Sequence, residues 1–145
     1  MRRFALLSVL LLGLTVPSRA EAVTLGLDLG GGYWFEGAAQ FDFHFKVQFA
    51  LGKVVSFGIR PGILMNVRPS VEIGLPADVY FRFHVSRLYF DILGGIAILF
   101  GNPQPFRAHA GVGMGVHIAH GFSIGFEGGY LMNSANVLLR LQFNF

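Results

Sequence analysis

The sequence predicts an all-β fold, an eight-stranded antiparallel up-and-down transmembrane β-barrel. The clearest evidence is residues 40–49, QFDFHFKVQF, in which apolar and polar side chains alternate without exception. A period of two is that of a β-strand. Seven further segments alternate in the same way, and an apolar face opposite a polar one is typical of a strand between lipid and a lumen. The composition agrees, because charged residues make up 13% of the chain against about 25% in soluble domains.

The first four predicted strands lie in the N-terminal half of the barrel. Strand one covers about residues 23–33, strand two is residues 40–49, strand three covers about 54–64, and strand four ends at Val85. Their outward side chains are mainly Phe, Val, Leu and Ile, which suit a pleated surface. These outward residues are Val23, Leu25, Leu27, Leu29, Phe41, Phe43, Phe45, Val47, Phe49, Val55, Phe57, Ile59, Val79, Phe81, Phe83 and Val85.

The other four predicted strands complete the barrel. Strand five opens at Leu88, strand six covers about 106–117, strand seven opens at Phe122, and strand eight ends the chain. An even number of strands, each close to the ~9–11 residues that cross a membrane, matches a membrane barrel. Closure removes the unpaired edge that lipid does not tolerate. The outward residues of this half are Leu88, Phe90, Ile92, Phe106, Ala108, Ala110, Val112, Met114, Val116, Phe122, Ile124, Phe126, Val137, Leu139, Leu141, Phe143 and Phe145.

A soluble barrel with an apolar interior is the alternative fold. Its outer face would be rich in Lys and Glu, whereas Lys46 and Lys53 are the only lysines of the chain. The polar face consists instead of glycine interleaved with Arg, Asp and His, which suits a lumen packed with large and small side chains. The pattern therefore favours the transmembrane barrel.

The N-terminal segment predicts export. Arg2 and Arg3 precede an apolar run, and small residues are placed for cleavage after Ala20 or Ala22, as in a secretory signal peptide. The run covers residues 4–16, which is too short for a helix that spans a bilayer, since that needs about 20 apolar residues. We therefore expect a cleaved signal peptide at 1–20.

Cleavage leaves a β-barrel domain at 21–145, which we expect in the outer membrane of a Gram-negative cell. The formal net charge of +3 depends on Arg2, Arg3 and Arg19. Without these three, eight of the eleven basic residues remain against eight acidic ones, so the charge is no evidence for nucleic-acid binding. The chain has no cysteine, which excludes disulfides and thiolate metal sites. We expect neither a metal nor a cofactor.

Ten inward positions of the predicted strands carry a charge, five of each sign. They are Asp28, Asp42, Asp78, Asp91, Glu127, Lys46, Arg60, Arg82, Arg107 and Arg140. An eight-stranded barrel has an interior just wide enough for side chains, and directly opposed opposite charges stabilise a sheet. The balance therefore predicts a lumen plugged by ion pairs rather than an open pore.

The predicted turns indicate which of these charges face each other. Residues 50–52 and 119–121 have the form of three-residue hairpin loops with Gly in the left-handed position. Residues 86–87 have the form of a two-residue turn, and 132–135 that of a four-residue loop. The opposed pairs that follow are Asp42 with Arg60, Arg82 with Asp91, and Glu127 with Arg140.

The histidines give only a weak indication of a metal site. His109 and His117 share the lumen face but are eight residues apart, roughly 26 Å along a strand, so they cannot hold one ion. His84 and His117 approach each other near the periplasmic end of the predicted barrel. Hydrogen bonding within the lumen is the simpler role for His109 and His117.

Residues 21–145 resemble the small outer-membrane barrels of the OmpA/OmpX-like and opacity type. The resemblance rests on the signal peptide, the eight alternating strands and a final apolar series, Leu139, Leu141, Phe143 and Phe145. This ending is similar to the signal read by the barrel-assembly machinery, which the resemblance implies as a partner during biogenesis. Membrane lipid is the other expected partner, and we expect a monomer. The connections at the outward end are shorter than the loops of adhesins, which argues against adhesion.

Aromatic residues near the outward end predict a girdle at the membrane interface, where amphipathic rings are enriched. They are Tyr33, Trp34, Phe35 and Tyr130.

Three functions are carried forward from the sequence. The leading hypothesis is a structural or envelope role without catalysis. The second is a porin-like channel or binding protein for small apolar molecules, because Leu93, Ala97 and Leu99 face inward near the end of strand five. The third is a lipid-modifying enzyme.

The enzyme hypothesis comes from a limited resemblance to outer-membrane lipid A deacylases. Those enzymes use a His, Ser and Glu set on a barrel wall, and His120, Ser123 and Glu127 offer the same residue types. Here His120 lies in a turn on the periplasmic side, whereas those enzymes act from the outer leaflet. We therefore expect no enzymatic activity.

Overall fold

The computed structural model describes residues 23–131 and 134–145, and the predicted signal peptide lies outside these ranges. Eight strands form a closed, wholly antiparallel barrel, so the predicted fold class is confirmed. No helix in the described residues is long and apolar enough to cross a membrane. The strands are β1 (Val23–Trp34), β2 (Ala38–Ala50), β3 (Val55–Val67), β4 (Val71–Val85), β5 (Leu88–Phe100), β6 (Phe106–Ala119), β7 (Phe122–Leu131) and β8 (Ser134–Asn144).

Each strand pairs with its neighbours in the chain, and β1 also pairs with β8 to close the barrel. The alternation of the sequence becomes an alternation of exposure, as the centre of β2 shows. Phe43 and Phe45 are 42% and 39% exposed, while Asp42 and His44 are 7% and 2% exposed. Apolar side chains therefore form the outer surface, and the polar ones fill the lumen, as in a membrane barrel.

The two rims of the barrel differ in their connections. The turn end carries the connections 51–54, 86–87 and 120–121 together with both ends of the described chain, Val23 and Phe145. The loop end carries the connections 35–37, 68–70 and 101–105, while residues 132–133 lie outside the described ranges.

The two-residue turn predicted at 86–87 is present. Ser86 has a φ of 56°, as a tight hairpin turn requires. The register it sets pairs Val85 with Leu88 and Arg82 with Asp91. A short turn of this kind fixes every later pair along the hairpin, because the ladder has no freedom to slip.

The turn predicted at 50–52 is longer than expected, and the pairing derived from it is wrong. Ala50 pairs with Ser56, so the connection holds four residues outside the strands, and Asp42 lies opposite Leu64 instead of Arg60. The Leu51 amide donates to the Val55 carbonyl at 2.9 Å, which closes the wider loop. Arg60 instead pairs across the β3–β4 ladder with Asp78.

The connection between β7 and β8 is shorter than the predicted loop at 132–135. Leu131 pairs with Ser134, which shifts the ladder so that Glu127 lies opposite Leu138 and not Arg140. The expected register is therefore wrong by two residues. The two charged side chains still meet, because the long Arg140 side chain reaches Glu127 diagonally.

The assignment of faces leads to a prediction about depth. Phe45 lies near the middle of β2 on the lipid-facing side, so we expect Phe45→Arg to destabilise the barrel by about 2–4 kcal/mol. Leu51→Arg places the same side chain at the turn end, where the expected cost is about 0–1 kcal/mol. Urea unfolding in phospholipid vesicles measures both. Equal costs for the two variants would show that Phe45 does not face the hydrocarbon.

The lumen as the candidate functional site

The centre of the lumen is occupied by a cluster of charged side chains, here called the central charge cluster. Six strands contribute to it, so it ties the barrel wall together from nearly all sides. Its members are Asp28 (β1), Asp42 (β2), Arg60 (β3), Asp78 (β4), Glu127 (β7) and Arg140 (β8).

Arg60 is held by three carboxylates. Its guanidinium donates to Glu127 at 2.7 and 3.2 Å, to Asp78 at 2.9 Å and to Asp28 at 3.4 Å. Its side chain is only 4% exposed. Charge-assisted hydrogen bonds from a planar guanidinium to several carboxylates fix both position and orientation, so Arg60 links β1, β4 and β7 across the lumen.

Arg140 binds the same two carboxylate oxygens of Glu127. Its Nη2 donates to Glu127 Oε1 at 2.7 Å, and its Nε donates to Oε2 at 3.1 Å. Its Nη1 donates to Asp42 and lies 3.9 Å from Asp28. Glu127 therefore joins the two arginines, and the whole cluster is buried.

Two histidines lie beside carboxylates of the central charge cluster. His109 Nδ1 lies 2.9 Å from Asp78 Oδ1, and His44 Nδ1 lies 3.7 Å from Asp42 Oδ1. A cavity beside them, lined also by Leu64 and other side chains, holds about 10 Å³, the space of about one water molecule. A cavity of this size has no room for a continuous column of water.

A second group of charged and polar side chains fills the lumen nearer the turn end. Arg82 makes two bonds to Asp91, from Nε at 2.7 Å and from Nη2 at 2.6 Å, and a third to Gln142 at 2.8 Å. Lys46 donates to the same Gln142 oxygen at 3.3 Å. The Arg82 guanidinium lies 3.9 Å from the centroid of the Tyr89 ring, a cation–π contact.

Inward glycines make room for these large side chains. Tyr89 lies across β6 and β7, and a Cβ at Gly115 or Gly125 would collide with its hydroxyl. Tyr80 lies in the same way over Gly58 of β3. The alternation of glycine and bulky polar residues on the inner face is therefore a packing arrangement across neighbouring strands.

Serine and histidine pairs lie closest to the turn end. His117 Nδ1 lies 2.6 Å from Ser123 Oγ, and His84 Nε2 lies 3.1 Å from Ser56 Oγ. The rings of His84 and His117 are nearly parallel with centroids 5.8 Å apart. Within the described residues no group of three or more His, Cys, Asp or Glu is placed to hold a metal ion.

The loop end of the lumen is closed by an apolar layer beneath paired charges. Trp34 is fully buried, and the Arg68 guanidinium lies 4.7 Å from the centroid of its ring. Glu36 lies 2.9 Å from Arg68 and 3.8 Å from Arg107. This arrangement, the Trp34 cap, rests on Ala38, Leu64, Ala97, Leu99 and Leu131.

The ten predicted lumen charges are all buried, and Arg107 belongs to the Trp34 cap, while Lys46 lies with Arg82. The terminal residues Leu139, Phe143 and Phe145 are exposed on the outer face, with Leu141 half-buried between its neighbours. Tyr33, Phe35 and Tyr130 are exposed near the loop end, where a girdle is expected.

Trp34 is the exception, and its assignment to the girdle is wrong. The side chain points into the lumen and is 0% exposed. The parity of β1 explains this, because Asp28 and Gly30 already face inward and Trp34 falls on the same side. Arg68 and Arg107, which cover Trp34, had no signal in the sequence that linked them to it.

Trp34 is the only tryptophan of the chain, so its fluorescence tests this placement. In vesicles of brominated phosphatidylcholine we expect little quenching of Trp34, since its ring is shielded from lipid. The matched variant Trp34→Phe with Tyr33→Trp places the indole on the outer face and is expected to be quenched strongly. Strong quenching of the unmodified protein would show that Trp34 faces the lipid, as the girdle prediction required.

The fold and the closed lumen define a small transmembrane β-barrel, and comparison with solved structures agrees. A de novo designed transmembrane β-barrel matches with a TM-score of 0.66 at 18% identity, over 84% of this chain and 95% of that one. The N-terminal β-barrel domain of Pseudomonas aeruginosa OprF matches with a TM-score of 0.57 at 15% identity, over 84% and 97%.

The Yersinia pestis outer-membrane protein Ail, determined in a phospholipid bilayer nanodisc, matches with a TM-score of 0.57 at 10% identity, over 86% of this chain and 100% of that one. No protein-family model matches the sequence, and no curated protein matches it. The chain therefore has the fold of the small eight-stranded outer-membrane barrels, and the resemblance noted from its sequence is confirmed.

Proposed function

We propose that this chain is a structural outer-membrane barrel whose lumen is sealed by ion pairs and which neither conducts nor catalyses. The observation that carries the proposal is the central charge cluster, in which Arg60 and Arg140 both bind Glu127. The Trp34 cap and the Arg82–Asp91 pair support it, because they fill the lumen above and below the cluster. A solute would have to separate several buried ion pairs in order to pass.

The second candidate is a binding protein for small apolar molecules. Leu93, Ala97 and Leu99 are buried in the lumen, yet Ala97 and Leu99 already belong to the apolar cluster of Trp34. A ligand there would have to displace this side chain together with Arg68, which lies over its ring. The sealed barrel is therefore the better proposal.

The catalytic alternative is the weaker one. Glu127 is engaged by two arginines, and Ser123 is buried beside His117. His120 is exposed in the connection 120–121, so the three residues compared with the deacylases do not form one site. This separation supports a protein without enzymatic activity.

The proposal includes the outer membrane as location, a monomeric state and insertion by the barrel-assembly machinery. The fold supports the location, and the exposed apolar series of β8, which includes Leu139 and Phe143, supports recognition by that machinery. Membrane fractionation after expression with the predicted signal peptide tests the location. Recovery from the soluble periplasm would contradict it.

Planar-bilayer recording tests the sealed lumen. Insertion of the folded barrel is expected to give no stepwise conductance, while an open porin added to the same bilayer gives regular steps. Circular dichroism of the inserted sample shows that the protein is folded, so that a lack of current reports on the lumen. Uniform steps from the folded barrel would refute the sealed-lumen proposal and favour the channel.

A further inference from the structure

Each of the three connections at the turn end carries one basic side chain. Lys53 lies in 51–54, Arg87 in 86–87 and His120 in 120–121, and all three are exposed. None of these connections contains Asp or Glu. No hydrogen bond or ion pair engages the three side chains from any part of the chain that the structure describes.

The cations at the loop end are arranged in the opposite way. Arg68 and Arg107 both turn toward Trp34, and Glu36 lies within ion-pair distance of each. Glu72, the other acidic residue there, accepts a hydrogen bond from Asn102 at 3.3 Å. Positive charge at this rim is therefore neutralised within the barrel, whereas at the turn end it is available to a partner.

Apolar side chains flank the basic residues of the turn end. Leu51 and Val54 lie on either side of Lys53, and Val85 and Leu88 on either side of the turn that contains Arg87; each is about half exposed. Leu51, Val85 and Leu88 continue the lipid-facing rows of the strands. A basic side chain on such an edge extends to the level of the headgroups while its stem covers apolar surface.

We propose that the turn end binds the headgroups of anionic phospholipids in the leaflet that it faces. The Lys53 ammonium and the Arg87 guanidinium donate charge-assisted hydrogen bonds to phosphate oxygens, and the His120 imidazole adds one N–H donor. The proposal rests on insertion of the barrel in a membrane and does not depend on whether the lumen conducts.

A lipid fits this rim better than an acidic protein. The three basic residues lie on three separate connections, and two strands separate each connection from the next along the chain. Lys53 and Arg87 are each bordered by exposed apolar neighbours. A cation beside an exposed apolar edge matches a lipid, whose charged headgroup and acyl chain meet at that level.

Electron paramagnetic resonance tests the proposal with the folded barrel in phosphatidylcholine vesicles that contain trace spin-labelled lipid. We expect labelled phosphatidylglycerol to associate with the barrel more than labelled phosphatidylcholine at low salt, since each cation near an anionic headgroup contributes about fivefold in affinity. Arg87→Gln is expected to remove about half of this excess, because one of the two cations is lost. Lys53→Gln combined with Arg87→Gln is expected to remove most of it.

Arg68→Gln is the matched control, since it deletes one arginine from the loop end. It is expected to leave the excess of phosphatidylglycerol unchanged. Equal association of the two labelled lipids with the unmodified barrel would overturn the proposal, and so would equal losses from Arg87→Gln and Arg68→Gln. Persistence of the excess at full strength in the double variant would also overturn it. Competition by millimolar inorganic phosphate as effective as that by unlabelled phosphatidylglycerol would show a free-anion site instead.

Discussion

Arg60→Met is expected to destabilise the folded barrel by at least about 3–5 kcal/mol, the typical cost of removing one partner of a buried ion pair. Arg60 is the shared partner of Asp28, Asp78 and Glu127, so its loss leaves three carboxylates close together with less positive charge among them. Methionine retains much of the side-chain volume, which limits the contribution of an empty cavity. Urea unfolding in phospholipid vesicles, followed by circular dichroism, measures the effect.

Two comparisons identify the cause of this loss. Arg68→Met removes an arginine whose ion pair with Glu36 is partly exposed, and we expect a cost of only about 1 kcal/mol. Acidification is expected to reduce the penalty of Arg60→Met relative to the unmodified barrel, because protonation neutralises the stranded carboxylates. A penalty that stays constant as the pH falls would assign the lost stability to packing. Equal penalties for Arg60→Met and Arg68→Met would show that the central charge cluster does not stabilise the barrel.

Removal of both partners of the Arg82–Asp91 pair is expected to cost much less than the sum of the two single changes. Arg82→Ala and Asp91→Ala each leave one buried charge without its partner, at about 3–5 kcal/mol. The pair meets at 2.6 and 2.7 Å, so the coupling in a double-mutant cycle is expected to be large, on the order of 1–3 kcal/mol. The cycle is measured by urea unfolding of the four proteins in the same vesicles.

A distant pair provides the control for this cycle. Arg82→Ala and Glu36→Gln lie at opposite ends of the lumen and share no partner, so their costs are expected to add to within about 0.5 kcal/mol. Additive costs for Arg82→Ala and Asp91→Ala would mean that the two groups do not interact in the folded barrel. The register of the hairpin at 86–87 would then have to be reassigned.

The sequence predicted the strands and their faces well, because a period of two is a local property that needs no knowledge of neighbours. Pairings across strands depended on the length of each connection. The two-residue turn at 86–87 allows only one register between β4 and β5. The pair that this register predicts, Arg82 opposite Asp91, is observed. The connection 51–54 lies further along the chain than the predicted 50–52, which moves the partner of Asp42 by four residues, from Arg60 to Leu64. The connection 132–133 is two residues shorter than predicted, which moves the partner of Glu127 by two residues, from Arg140 to Leu138.

The position of Trp34 shows a different kind of error. The girdle was predicted because Trp34 belongs to an aromatic run beside a rim. The alternation of β1 by itself places Trp34 on the inward face, and it is the better guide here. The central charge cluster had no comparable local signal. Arg60 meets Glu127 across the lumen and not along a ladder, so their contact depends on the diameter of the closed barrel.

The ion pairs of the lumen differ widely in how far apart their partners lie along the chain. Arg82 and Asp91 are 9 residues apart, Arg60 and Glu127 are 67 apart, and Asp42 and Arg140 are 98 apart. The first pair can form within a single hairpin, whereas the last requires β8 to have reached β1. Contacts of such long range form slowly, because the chain between them must be ordered first.

Assembly of the barrel therefore has a built-in sequence. Until β8 arrives, Asp42 and Glu127 have no Arg140 and must keep their hydration, so the interior stays wet while the wall is still a curved, open sheet. Arrival of the final strand supplies the missing cation and expels that water in the same event. Closure of the wall and drying of the interior are thus one step, and a chain that stops before Arg140 would lack the means to complete either.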